Sequence, residues 1–259
     1  MNPLRFSKSL LLSILTPMAM IGASASAATR ESVTILVGSM SYPFEVFGEN
    51  DQLTGGLLKE LGEKLAHELG SKPDFMRLPR RRFEPALIAG EADLYCYGSP
   101  NWSDNPKALL WSMANLTQIE RVLVPIAKPA PQRIPDDFVG KRVSVRLGYH
   151  YDAIQPLFDA GKAYRIDESQ TAFLFKAVDT GFTDMLITSE GEIEGFFQTN
   201  PQARKRFTAA AKPFSVVHTQ CAVSPKSRWS LDQINQALTT LIKRGDIERM
   251  SKRYGLSMR

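Results

Sequence analysis

The chain has 259 residues, 43% hydrophobic and 23% charged, with a formal net charge of +5. That length suffices for one large domain or two small lobes, each with its own core. No Lys/Arg run resembles a nucleic-acid tail, and no segment beyond the first 28 residues is apolar enough to span a bilayer, so neither a nucleic-acid partner nor a membrane-embedded chain is expected.

The N-terminus opens with Arg5 and Lys8, continues in an uncharged and mostly apolar run from Ser9 to Ala28, and passes through the small residues Ala23-Ser24-Ala25-Ser26-Ala27. A basic start, an apolar middle and a small-x-small end make a secretory signal peptide, with cleavage expected after Ala27 or Ala25. Pro17 and the short apolar stretch argue against a membrane anchor. With no cysteine beside the cleavage site, lipid attachment to a new N-terminal Cys is not available, and the expected location is the periplasm. Loss of Arg5 and Lys8 leaves the mature chain mildly basic, at about +3.

Residues 33–38 (Val-Thr-Ile-Leu-Val-Gly) read as a buried strand. Leu57, Leu58, Leu61, Leu65 and Leu69 recur at helical spacing over 56–69, and Gly70 is a natural stop. A short strand follows at 75–78, a helix at about 82–89 ending at Gly90, and a strand at 92–97. This alternation is that of an α/β sheet. Pro125, Pro129, Pro131 and Pro135 mark a linker, after which the pattern restarts with a strand at 142–147. Helices are expected at about 151–160, 171–180 and 190–198, with a strand at 184–188. Pro213 marks a second crossing and 221–223 a strand, and Ser230 with Gln233 forms a capping pattern that opens a long helix. Two α/β units joined by two Pro-marked crossings predict two lobes on a double hinge, with residues 28–126 and 216–259 in the first and 127–215 in the second. A cleft between such lobes is a standard place for a ligand, and hinge closure is the motion the design permits.

Cys96 and Cys221 both fall in apolar strand-like runs, where a disulfide and buried free thiols are both natural. Two separated cysteines and three histidines (His67, His150, His218) offer no clustered metal-ligand spacing. No Gly-rich phosphate loop and no Ser/His/Asp or Cys/His constellation can be placed, so no metal, cofactor or catalytic residue is expected in the leading reading.

Five motifs occur in order along the chain: Tyr42-Pro43-Phe44 with Gly55-Gly56-Leu57 and Glu60-Leu61; Pro85 through Asp93; Val139 through Gly148; Gly181-Phe182-Thr183-Asp184; and the closing helix Ile242 to Gly255. Together they resemble the bacterial extracellular solute-binding proteins of family 3, the polar amino-acid binding proteins, over nearly all of the mature chain. The resemblance implies an α/β, two-lobed periplasmic-binding-protein fold of type II, each lobe a mostly parallel sheet flanked by helices. It implies a non-catalytic receptor, expected as a monomer, that closes over a small polar or anionic solute and presents it to an inner-membrane ABC permease or a membrane sensor.

The chain departs from the family at the ligand anchors. The family's carboxylate-gripping Arg, about twelve residues beyond the third-strand Asp, is Asn105 when counted from Asp93, and the amine-pairing Asp is Ser189, next to Glu190. Arg meets a carboxylate with two parallel hydrogen bonds and Asn does not. Replacement anchors are expected at Arg80, Arg82 and Arg146, with Tyr42 and Phe44 in the first motif. Tyr97, Gly98, Asn101 and Trp102 follow the third strand, and Tyr149 and His150 open the second lobe's first helix, where aromatic area and backbone N–H groups suit a polar ligand. Tyr95 and Trp111 are expected in the core and His218 in a structural role. An alternative is an enzyme, since some proteins resembling this family are periplasmic dehydratases that act on cyclohexadienyl acids through a cleft carboxylate. Glu192 is the best-placed candidate, although Glu190, Glu192 and Glu194 also suit a helix start. A scaffold or adhesin with a dead cleft is a third reading.

Overall fold

The computed structural model describes Met1 and residues 32–256, so the signal-peptide reading of residues 1–27 lies, Met1 apart, outside the described residues. The first part of the chain forms β1 (Ser32–Val37), β2 (Val46–Phe47), β3 (Leu53–Gly55), α1 (Leu57–Glu68), β4 (Lys72–Arg77), α2 (Phe83–Ala89), β5 (Leu94–Gly98), β6 (Leu110–Trp111) and β7 (Leu116–Pro125). The middle holds β8 (Arg142–Arg146), α3 (Gln155–Asp159), β9 (Tyr164–Glu168), α4 (Thr171–Asp179), β10 (Met185–Ser189), α5 (Glu190–Thr199) and β11 (Phe207–Ala209). The chain closes with β12 (Ser215–Val223), α6 (Leu231–Lys243) and α7 (Asp246–Arg253).

The main sheet runs β4-β1-β5-β12-β7-β10-β8-β9. Its two ends mirror each other. β4, β1 and β5 are parallel with β12 antiparallel beside them, and β9, β8 and β10 are parallel with β7 antiparallel beside them. β12 and β7 pair antiparallel from Ser215↔Glu120 to Thr219↔Leu116 and so join the lobes. The first crossing therefore falls inside a continuous strand near Gln118, whereas the Pro-rich stretch expected as the linker begins where β7 ends.

In the first lobe, α1, α6 and α7 cover one face of the sheet, burying Leu57, Leu61, Leu65, Leu238 and Leu241 against Val33, Ile35 and Leu94. α2 covers the other with Phe83 and Leu87 against Leu36 and Tyr95. The expected capping pattern is present: the Ser230 side chain accepts from the Gln233 N–H, and the Gln233 side chain accepts from the Ser230 N–H. In the second lobe, Phe138, Val143 and Ile154 fill one core, and Leu174, Phe175, Leu186 and Phe197 the other. Cys96 and Cys221 form a disulfide between β5 and β12, the alternative that sequence left open.

Candidate functional site: the interlobe cleft

On the first lobe, β1 ends in a loop over 38–42 that is tied down by a buried carboxylate. Glu45 accepts the N–H of Gly38 at 3.0 Å and that of Met40 at 2.9 Å. Burial pushes the Glu45 carboxyl up, and these N–H donors pull the other way. Across from the loop, Tyr97 ends β5 with a positive φ of 66°, a conformation uncommon for a non-glycine residue. Its ring packs against Phe44, with centroids 4.6 Å apart. Arg80, in a 3₁₀ turn before α2, donates to the Tyr95 hydroxyl at 3.2 Å, lies over the Tyr95 ring and is 3.7 Å from Glu84.

On the second lobe, the same sheet ends supply Arg146 from β8 and Ser189 from β10. Ser189 caps α5: its hydroxyl accepts the N–H of Glu192 at 3.2 Å. The Glu192 side chain folds back into the lobe, 4% exposed, and accepts hydroxyl bonds from Thr171 at 3.0 Å, Thr188 at 2.5 Å and Ser189 at 3.3 Å. Glu190 is held by Arg121 at 2.7–2.8 Å. Glu120, 8% exposed in the crossing strand, accepts a 2.6 Å bond from Ser215 of the other crossing strand. Burial pushes its carboxyl up to about 7, with the Ser215 bond opposing and the Glu192 charge adding to the rise.

The two lobes touch across this cleft. Arg146, 7% exposed, donates to the Ser41 hydroxyl at 3.3 Å and the Ser39 carbonyl at 3.4 Å in the first lobe, and to the Ser169 carbonyl at 3.0 Å in its own. The Tyr149 hydroxyl donates to the Met40 sulfur at 3.3 Å, and the Tyr42 hydroxyl to Gln198 at 2.8 Å. Two glycines of α5 make this approach possible. A Cβ on Gly191 would lie 2.7 Å from the Phe44 ring, and one on Gly195 would lie 2.7 Å from the Tyr42 carbonyl oxygen. A cavity of about 240 Å³ remains between Ser41 and Tyr42 on one side and Gln170, Thr171, Glu192, Gly195, Phe196 and Thr199 on the other. The Tyr149 hydroxyl is pushed up by burial and the Glu192 charge and is opposed by Arg146 and Arg80, so charges of both signs converge on it. Such a cleft offers cationic donors, buried carboxylates and aromatic faces to one small polar molecule.

The structure brings Tyr42, Arg146, Tyr149, Ser189 and Glu190 to the cleft or its edge, whereas Tyr97 is buried in the first lobe's core with its ring against Phe44. It corrects the expectation for Phe44, which is fully buried in the first lobe's core, with its ring edge against Gly191 of the second lobe. Arg82, Asn101 and His150 lie in solvent, the last 3.1 Å from Asp152, because each sits on the outer side of its turn. Trp102 is half-buried, and Gly98 leaves room for the Tyr95 ring rather than for a ligand. Arg80 is committed to Tyr95 and Glu84. Tyr95 is in the core as expected, and half-buried Trp111 packs against it. His218 pairs with Thr117 across the crossing strands. The reading of single residues did not find Glu45, Glu120, Arg121, Ser39, Ser41 or Thr171. Glu120 and Arg121 stood in 116–125, where charges interrupt the apolar run and mask a strand.

Two mirrored α/β lobes, two crossing strands and a polar cleft define a two-lobed binding protein. Residues 33–257 match the bacterial extracellular solute-binding proteins, family 3, and the chain belongs to that family. Among solved structures it is similar to an ancestral arginine-binding protein bound to arginine, at 20% identity over 87% of this chain and 99% of that one, with a TM-score of 0.72. A binding component of an ABC transporter from Wolinella succinogenes DSM 1740, complexed with lysine, aligns at 15% identity over 86% and 95% of the two chains, with a TM-score of 0.72. An ancestral amino acid-binding protein described as a precursor of cyclohexadienyl dehydratase aligns at 20% identity over 87% and 96%, with a TM-score of 0.70. At these identities the likeness is one of fold. No curated protein matches the chain in sequence. No helix among the described residues is long and apolar enough to cross a membrane.

Proposed function

We propose that the protein is a periplasmic receptor, exported by its N-terminal segment, that closes its two lobes over a small polar solute and offers the closed form to a membrane ABC importer or sensor. The observation that carries this reading is the set of bonds across the cleft, Arg146 to Ser39 and Ser41 foremost, which only a closed arrangement of the lobes can make. The cleft supports a small solute with polar groups: Ser41, Tyr42, Thr171 and Glu192 line the cavity, and the Tyr149 hydroxyl feels the charges of both Arg146 and Glu192. The Asn105 side chain is exposed and carries no guanidinium fork, while the Ser189 hydroxyl is spent on Glu192, so neither stands in for the usual anchors of an α-amino acid. Ordinary α-amino acids therefore bind weakly.

A thermal-shift screen of residues 28–259 against amino acids, polyamines, organic acids, sugars and short peptides tests the reading. A ligand that binds only the folded state adds about 2.7 kcal/mol at a hundred times its dissociation constant. A broad screen in which no compound moves the transition counts against a receptor.

A second reading, dehydration of a cyclohexadienyl acid, is favoured by one feature, the buried Glu192 carboxylate beside the cavity. It requires prephenate turnover that vanishes in Glu192→Gln. Absence of turnover in the parent protein removes it.

A further inference from the structure

Strand β12 changes partners along its length. Ser215 to Thr219 pair with β7 and join the lobes, whereas Gln220, Ala222 and Val223 pair within the first lobe, with β5 and β6. Cys221 stands two residues past the last interlobe pair, and its disulfide to Cys96 ties the crossing strand to β5. The register shifts at this place. Gln220 faces Gly98 and Ala222 faces Tyr95, so Cys96 and Tyr97 together oppose Cys221 in a β-bulge. Tyr97 takes its positive φ of 66° in that bulge. A bulky residue keeps such a backbone only where its surroundings hold it there, and the disulfide is the covalent part of the hold. Side-chain contacts lead from the bulge to the second lobe: the Tyr97 ring packs on Phe44, and the edge of the Phe44 ring meets Gly191 of α5.

The two cysteines have different surroundings. Cys221 is fully buried, and the Asn115 side-chain amide donates to its Sγ at 3.3 Å. Cys96 is partly exposed. In thiol–disulfide exchange a thiolate attacks one sulfur and the other departs as a thiolate, so the rate depends on which sulfur can be reached and how well the departing one carries its charge. Here the reachable partner is Cys96, and the Asn115 N–H is placed to stabilise the thiolate that forms on Cys221.

We propose that the Cys96–Cys221 disulfide is an exchange site for a dithiol reductant and acts as a redox switch on the hinge. The first thiolate of the reductant bonds to the Cys96 sulfur as the Cys96–Cys221 bond breaks. The second then attacks the reductant's own sulfur, closes its disulfide and releases Cys96. Two electrons and two protons pass to the protein, which is left with thiols at Cys96 and Cys221 while the dithiol is oxidised. Reduction unties the bulge, and with it Tyr97 and Phe44, from the crossing strand, so the lobes of the reduced form sample a wider range of separations. A disulfide that only staples the fold opens when the fold does, and this difference can be measured.

The test reduces residues 28–259 with dithiothreitol from zero to about 2 M urea and counts thiols by alkylation and mass. The expected rate rises in proportion to dithiothreitol and stays level across this urea range. A rate that saturates with reductant, or climbs with urea as unfolding does, shows that the bond opens only through unfolding and overturns the proposal. Glutathione in place of dithiothreitol, quenched with acid, should be trapped on Cys96, and an adduct on Cys221 overturns it too. The switch is read by single-molecule energy transfer between dyes on p-acetylphenylalanine placed at Lys72 and Lys162, exposed positions of the two lobes. The measurement uses no solute, so its outcome is independent of the receptor reading. Reduction, and equally Cys96→Ser with Cys221→Ser, should broaden the distribution toward larger separations. A distribution unchanged in both overturns the switch.

Discussion

Arg146 of the second lobe and Ser41 of the first are joined across the cleft, Nη1 to Oγ at 3.3 Å, with the arginine almost wholly buried. The other bonds of the same guanidinium go to the carbonyls of Ser39 and Ser169, so one cation ties a first-lobe loop to the second lobe without an acidic partner. Glu45, holding the N–H groups of Gly38 and Met40, keeps that loop in place to receive it. A buried charge met only by neutral acceptors is costly to hold, and under the proposed function a polar solute in the closed cleft would complete the charge balance.

Arg146→Ala removes the latch and leaves two carbonyls and a hydroxyl without their donor. Affinity for whichever solute binds the parent protein should fall about 10- to 100-fold, equivalent to about 1.4–2.8 kcal/mol. In X-ray scattering the variant with saturating solute should keep the larger radius of gyration of the open form.

Gly195→Ala places a methyl group where the Tyr42 carbonyl oxygen stands 2.7 Å away, and Gly191→Ala does the same at the Phe44 ring. Alanine suits a helix interior better than glycine by roughly 1 kcal/mol, so neither lobe suffers by itself. Titration calorimetry should show affinity reduced about tenfold or more, with the melting temperature of the solute-free protein little changed.

The pH dependence of stability has two limbs. A carboxyl raised from an ordinary 4.5 to about 7 leaves the folded state holding a proton that the unfolded chain has lost, so Glu120 makes stability fall as pH rises between those values. The size is on the order of 3 kcal/mol. Glu120→Gln should flatten this limb in urea denaturation between pH 5 and 8 and leave the variant the more stable of the two at pH 8. At the acid end Asp246 is held down to about 2 by Arg244, with Lys64 and Arg249 also bonded to it. Its contribution is present above the ordinary 3.8 and is lost as pH falls toward 2, and Asp246→Asn should remove that loss.

The Cys96–Cys221 disulfide closes a span of 125 residues from β5 to the crossing strand β12. Reduction, or Cys96→Ala with Cys221→Ala, should lower unfolding free energy by about 2–4 kcal/mol. Denaturant midpoints with and without reductant measure it.

Much of the fold was legible in the sequence because its helices bury leucine stripes and its parallel strands are short apolar runs. α1, α2, α4 and α5 fall within a residue or two of the expected bounds, and the Ser230–Gln233 cap is where it was read. The crossing strands were hidden. β7 carries Gln118, Glu120 and Arg121, which break its apolar run, and β12 carries His218, Thr219 and Gln220, so that only its last residues, 221–223, read as a strand. β9 was missed for the same reason, since Arg165, Asp167 and Glu168 break its pattern. The site was legible only in part. Arg146 and Tyr149 stand at a strand end and the turn after it and could be nominated, whereas Ser41, Glu45 and Glu120 act through partners that only the fold supplies. Phe44 was misplaced because motif position alone cannot separate a cleft wall from the core behind it.

The central claim, closure over a small polar solute, is tested most directly by titration calorimetry on residues 28–259 that have been unfolded, dialysed and refolded to remove retained solute. Across a panel of polar amines, organic acids, sugars, amino acids and short peptides, one chemical class should bind one to one with a dissociation constant of about 1 μM or tighter, near −8 kcal/mol. Glutamine and arginine should bind far more weakly than that class. A refolded protein that binds no member of the panel, or that binds glutamine or arginine most tightly of all, would contradict the account.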